Sequence, residues 1–130
     1  MNIVLDTSVV IAVITDESHK PKLVDATRGA SLIAPSSLYL EIGNAFSAMF
    51  KRNRITVEEA LAALEACSRI PIKMHPPDLK IALKIAHELG IYAYDAYFIE
   101  CAHTHRCPLL TLDENLGKAA GRYGITTIGV

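Results

Sequence analysis

The sequence has no tryptophan, only three cysteines, almost no excess of charge of either sign, and no long uninterrupted apolar run. Each shortage narrows what the protein can be. Cys67, Cys101 and Cys107 are an odd number without an oxidative framework, so reduced thiols and a cytoplasmic location are expected. A formal net charge of −1 and a pI near 6.5 supply none of the bulk basic footprint of a dedicated nucleic-acid binder. Any nucleic-acid partner would have to be held by local patches or by metal ions. The start carries no basic segment and Asp6 interrupts its apolar run, so neither a signal peptide nor a membrane association is expected.

What is present is a well-cored globule. The 130 residues are 51% hydrophobic and 21% charged, which excludes disorder and suffices to bury a core without disulfides. No composition break, repeat or low-complexity stretch marks a linker, so one domain over residues 1–130 is expected.

Strand and helix signals alternate, the pattern of an α/β fold with a central, mostly parallel sheet between helices. Residues 2–5 form a continuous apolar strand, 7–14 begin a helix, and Lys20 to Arg28 carry a second, more polar one. Ser31 to Ala34 is a strand closed by Pro35, after which Ser36 or Ser37 is placed to cap a long helix to about Arg52. Thr56-Val57-Glu58-Glu59 has capping-box spacing for another helix, with Val57, Leu61 and Leu64 as its inward stripe. Ile70 to Met74 reads as a strand that Pro71 sends to an edge. Pro76-Pro77-Asp78 opens a helix that runs to Leu89 and stops at Gly90. Tyr94 to His105 is a helix, 108–112 a strand, 114–122 a helix and Thr126 to Ile128 the last strand.

This layout brings acids from distant segments to one sheet edge. In right-handed strand–helix–strand units, strand ends and helix starts share an edge. Asp6 and Asp113 follow strands, Asp95 lies in a first helical turn, and Glu41 lies in the second turn of the helix after Pro35. Two carboxylates about 5 Å apart repel by roughly 3 kcal/mol at an effective dielectric near 20, so such a cluster needs protonation or a cation. Oxygen ligands of this kind suit Mg²⁺ or Mn²⁺. Singly, Asp6, Asp95 and Asp113 also read as helix caps or dipole partners. Glu41 does so less readily, because Leu38, Tyr39, Leu40, Ile42 and Ala45 surround it with apolar side chains that make its ionised form costly.

The stretches Ile3-Val4-Leu5-Asp6-Thr7-Ser8, Glu41-Ile42-Gly43-Asn44-Ala45, Tyr94-Asp95-Ala96 and Leu110-Thr111-Leu112-Asp113 resemble, in order and spacing, the four motifs of PIN-domain ribonucleases. They are most similar to those of the small VapC-type toxins of bacterial and archaeal toxin–antitoxin pairs, and the resemblance spans essentially the whole chain. It implies a three-layer PIN-like fold and a metal-dependent endoribonuclease. Asp6, Glu41, Asp95 and Asp113 fall on the family's acidic quartet, which binds one or two Mg²⁺ or Mn²⁺ ions. Thr7, Ser8 and Thr111 fall on hydroxyl positions that support the metal, its waters or the phosphate, and Asn115 also faces the site. RNA as substrate, a small antitoxin and a second copy of the chain are the implied partners.

Other features have plainer readings beside their chemical ones. Cys101, His103, His105 and Cys107 are zinc-type ligands, but alternate spacing sends them to different helix faces, with only Cys101 and His105 one turn apart. Ordinary core and surface roles are the expectation. Lys51, Arg52 and Arg54 suit RNA phosphates and a helix C-terminus equally. Lys80, Lys84 and His87 read as a solvated face. The apolar excess at Phe46, Met49 and Phe50 fits either a deeply buried helix or a docking face. Two other classes place acids in the same way: a phosphotransfer or phosphatase-like domain with a strand-end Asp, and a non-catalytic module that binds metal for structure. Asp6-Thr7-Ser8 lacks the second Asp that haloacid-dehalogenase-like phosphatases place nearby.

Overall fold

A computed structural model describes all 130 residues. Five strands alternate with seven helices: β1 (Asn2–Leu5), α1 (Thr7–Ile14), α2 (Lys20–Thr27), β2 (Ser31–Pro35), α3 (Leu38–Lys51), α4 (Val57–Ser68), β3 (Ile72–His75), α5 (Leu79–Leu89), α6 (Ala93–His105), β4 (Leu109–Leu110), α7 (Glu114–Arg122) and β5 (Thr127–Ile128). The strands form one sheet in the order β3-β2-β1-β4-β5, and every pairing is parallel. Register runs through Ile3 opposite Leu32, Leu32 opposite Ile72, and Leu5 opposite Leu110.

The chain steps from β1 outward to β3, then returns past β1 to β4 and β5. That reversal puts the topological switch point between β1 and β4, where open α/β sheets bind their ligands. α1 packs against α2, α3 and α4 in one helical layer; α6 packs on β1, β2 and β4 beside α5 in another. Ile3, Val4, Leu109 and Leu110 are essentially inaccessible, as strands covered on both faces require. No helix is long and apolar enough to cross a membrane.

Local chemistry accounts for most boundaries. Thr56 and Glu59 make both halves of the capping box that starts α4. Asp78 accepts from the Ile81 N–H at the start of α5, and Gly90 ends that helix in the left-handed region at φ 66°. Two expectations fail. Ser37 precedes α3 in a helical conformation and caps no N–H; its hydroxyl instead donates to Glu41 Oε2 at 2.9 Å. On α4 the apolar stripe faces outward, with Val57, Leu61 and Leu64 56%, 61% and 40% exposed, while Ala60, Ala63 and Cys67 are buried. The small side chains let α4 approach α1 closely, which bulky ones would prevent.

Two strands also shift from their expected spans. β3 begins after Pro71, which cannot donate to a ladder, and extends to His75. β4 stops at Leu110 because the next residue leaves the ladder to serve Asp6.

Candidate active site

Asp6 stands directly after β1 and is one of only two buried charged residues. Its Oδ1 accepts from the Ser8 hydroxyl at 2.6 Å and the Val9 N–H at 3.1 Å, which makes it the cap of α1. Its Oδ2 accepts from the Thr111 hydroxyl at 2.6 Å. Thr111 in turn accepts from the Asp113 N–H at 2.9 Å, and Ser8 accepts from the Leu112 N–H at 3.1 Å. The ends of β1 and β4 are thus tied through side chains that the sequence places 105 positions apart. Burial raises the Asp6 carboxyl above its ordinary range; Ser8, Thr111 and Val9 hold it down in part, and Asp113 pushes it further up.

Glu41 projects from the first turns of α3, half-buried, and burial pushes its carboxyl up to about 7. The Ser37 hydroxyl opposes that rise, while Asp95 and Asp6 add to it. Asp95, in the first turn of α6, is raised by burial and then by Asp113 and Asp6, with no hydrogen bond offsetting these. Asp113 caps α7, accepting the Asn115 and Leu116 N–H groups on Oδ1 at 2.9 and 3.1 Å. These mutual influences order the acids: Glu41 feels Asp6 and Asp95, which in turn feel Asp113. Asp6 and Asp95 therefore stand between Glu41 and Asp113 near the switch point.

The supporting residues divide. Ser8 and Thr111 are engaged with Asp6 directly. Thr7 Oγ1 is buried without a hydrogen-bond partner, although it stands near enough to Glu41 to hold that carboxyl slightly down. Asn115 is exposed and contributes its backbone N–H to Asp113. The structure adds residues to the site. Ser37 orients Glu41, and Thr7, Leu40, Glu41, Asn44, Ala45 and Tyr94 line a cleft on the Glu41 side. Asn44 sits one helical turn after Glu41, a spacing that would have revealed it. Another depression, lined by Thr111, Asp113, Glu114 and Gly117 among others, flanks the opposite end. The largest hollow of the surface lies elsewhere, around His103, Arg106 and Gly124 to Thr126, and contains none of the acids.

The expected zinc-type residues also separate. His103 stacks edge-on with Tyr123 at 5.5 Å, whereas Cys101 and His105 share a face and meet His75 at the end of β3. Lys51, Arg52 and Arg54 are exposed at the far end of α3, and Lys51 is about 15 Å along the axis from Glu41. Lys80, Lys84 and His87 are exposed on α5, as a solvated face requires.

A parallel sheet with acids at its switch point is the architecture of PIN domains, and residues 3–122 match that family; the chain belongs to it. Among known proteins it is similar to ribonuclease VapC3 of Mycobacterium tuberculosis, 27% identical over 118 residues that cover 90% of this chain and 86% of that one. The structure of PAE2754 from Pyrobaculum aerophilum superposes with a TM-score of 0.73 at 23% identity, covering 98% of this chain and 83% of that one. VapBC2 from Rickettsia felis, bound to a DNA fragment from its promoter, superposes with a TM-score of 0.72 at 12% identity, covering 98% of each chain.

Proposed function

We propose that residues 1–130 form a single domain that acts as a metal-dependent endoribonuclease, the toxin of a toxin–antitoxin pair in the cytoplasm. The observation that carries this reading is the shared upward displacement of Asp6, Glu41 and Asp95 by burial and by neighbouring acids, Asp113 among them. Three neighbouring carboxyls held against their own ionisation form a cation receptor, beyond the helix-cap role that Asp6 also serves. The donor set fits a hard ion: all oxygen, with Thr7 Oγ1 buried and free to hydrogen-bond to an ion's hydration water. Asp6, Glu41, Asp95 and Asp113 would hold Mg²⁺ or Mn²⁺. Bound there, the ion neutralises charge on the scissile phosphate and lowers the pKa of an attacking water.

The side chains contribute the rest. Glu41, which burial pushes up to about 7 before any ion binds, would ionise on holding the ion, and its carboxylate is then placed to take a proton from the attacking water. Attack by that water forms a new P–O bond as the bond from phosphorus to the 3′ oxygen breaks. The leaving oxygen takes a solvent proton, giving 5′-phosphate and 3′-hydroxyl ends. Ser8 and Thr111 fix Asp6 from both oxygens, so its position is set before any ligand arrives. Asn44 and Tyr94, on the cleft wall, are placed to contact the RNA chain.

The relatives' names support RNA as the substrate and an antitoxin as the partner. Exposed apolar residues on α3 and α4, including Leu40 at 78% and Leu61 at 61%, supply surface for that partner and for a second copy. Purified protein is expected to cleave RNA in Mg²⁺ or Mn²⁺, and Asp95→Asn to abolish cleavage with an unchanged circular dichroism spectrum. Full activity of that variant would overturn the assignment. A stable phosphoryl adduct on Asp6 would place the protein among phosphotransfer enzymes instead.

A further inference from the structure

We propose a second metal site, independent of the acidic crevice, in which His75, Cys101 and His105 bind one Zn²⁺ ion and fasten edge strand β3 to α6. The ligand atoms of these three residues lie within 4.8 Å of one another. His75 Nδ1 and His105 Nε2 are 3.1 Å apart. Two imidazole nitrogens on one tetrahedral zinc, each about 2.0–2.1 Å from it, stand about 3.3 Å apart, and a thiolate at about 2.3 Å stands about 3.6 Å from either. The nitrogens are thus already near the required separation, and the sulfur needs a closing movement of at most about 1 Å.

The group behind His75 is what distinguishes this cluster from a chance contact. Glu100 is wholly buried, the second of the two buried charged residues, and has no part in the acidic crevice. Its carboxylate accepts from the Asp78 N–H at 3.1 Å and the Thr104 hydroxyl at 2.5 Å. It also takes His75 Nε2 on both oxygens, at 2.9 and 3.1 Å. A carboxylate that only accepts requires the proton of His75 to sit on Nε2, which leaves the Nδ1 lone pair facing Cys101 and His105. Carboxylate–histidine pairing of this kind orients metal-binding imidazoles and raises their basicity.

The remaining ligands are suitably placed. Cys101 is fully buried, and burial, with Cys107 and Glu100 nearby, pushes its thiol up to about 12. Without a cation it stays protonated; a bound zinc removes that proton, so one proton leaves the site on binding. His105 needs only to move its proton from Nε2 to Nδ1. The His75 side chain is 12% exposed and His105 is partly exposed, so an ion can enter. One thiolate and two imidazoles select zinc over magnesium or manganese, the reverse of the all-oxygen crevice. Asp95 and His105 are ten residues apart on α6, about 15 Å along its axis, so the two ions would not share ligands.

Titration of the full-length protein in saturating Mg²⁺, which keeps the acidic crevice filled, with Zn²⁺ followed by calorimetry and with Co²⁺ followed by absorption, tests this. One Zn²⁺ per chain and a sulfur-to-cobalt charge-transfer band are expected in wild type, Cys107→Ser and Asp6→Asn. Cys101→Ala is expected to lose the band, and Cys101→Ala and His105→Ala to lose stoichiometric binding. Glu100→Gln, which keeps all three ligands, is expected to weaken binding by roughly 10- to 100-fold. Wild type that binds no Zn²⁺, a cobalt spectrum without sulfur ligation, or binding that survives Cys101→Ala or disappears in Asp6→Asn would overturn the proposal. The cobalt spectrum of wild type is informative even if a variant fails to fold, and none of these readouts depends on nuclease activity.

Discussion

Glu41→Gln should change how stability depends on pH, and the structure fixes both sign and size. Glu41 has its carboxyl carried from an ordinary 4.5 to about 7, chiefly by burial. That displacement corresponds to about 3 kcal/mol between the protonated and ionised forms. Glu41 is only half-buried, and water screens part of the effect, leaving about 1–2 kcal/mol. Because the folded pKa lies above the unfolded one, the native state binds more protons between the two values. Metal-free wild type therefore loses stability as pH rises through that window and loses no more above it. Asp6 and Asp95, also raised, act in the same direction. His105, whose pKa burial lowers, acts oppositely up to its unfolded value of 6.5. The difference between wild type and Glu41→Gln removes these shared contributions. Urea denaturation between pH 5 and 8 in EDTA should show the variant gaining about 1–2 kcal/mol on wild type across the range. Saturating Mg²⁺ should restore wild type selectively at the upper end, because an ion bound only by the native state stabilises it. A wild-type-minus-variant difference that is constant with pH would refute the electrostatic reasoning.

Two further substitutions probe the frame of the site. Thr111→Val keeps the shape of the side chain but leaves Asp6 Oδ2 without its donor and the Asp113 N–H without its acceptor. It should lower the unfolding free energy by about 1–3 kcal/mol in urea melts, with Thr111→Ser close to wild type, and a loss equal for both would contradict the hydrogen-bond account. Leu61→Gln, on the outward stripe of α4, should change the stability of the isolated protein by less than about 0.5 kcal/mol. A loss of several kcal/mol would mean that this stripe is core, as its spacing alone suggests.

Much of the architecture was legible because strand and helix boundaries carry local chemistry. Thr56 with Glu59, Asp78 and Gly90 each acts within a few residues of itself, and each marks its boundary in the sequence. The expectation that Asp6, Glu41, Asp95 and Asp113 converge followed from topology, since acids after parallel strands and at helix starts share an edge. What was not legible depends on which of two faces wins a packing contest. α4 offers both a bulky and a small apolar face, and close approach to α1 selects the small one. Ser37 offers its hydroxyl to a backbone N–H or to Glu41, and the half-buried carboxyl takes it. The cluster at His75 was hidden for another reason. Cys101 and His105 supply only two ligands on α6, and the third comes from an edge strand 26 residues before Cys101, at an end that lies one residue beyond the span expected for it. Glu100 gave no signal either, because its spacing on α6 does not tell that its carboxylate points at that strand.

The decisive measurement is the end chemistry of RNA fragments released by the purified protein, with Mg²⁺, with excess EDTA, and with Asp6→Asn in place of wild type. Fragments with 5′-phosphate and 3′-hydroxyl ends, formed in Mg²⁺ and absent in the other two reactions, are the predicted result. Cleavage that persists in EDTA or in Asp6→Asn, or products ending in 2′,3′-cyclic phosphate, would contradict hydrolysis by water at a carboxylate-held metal.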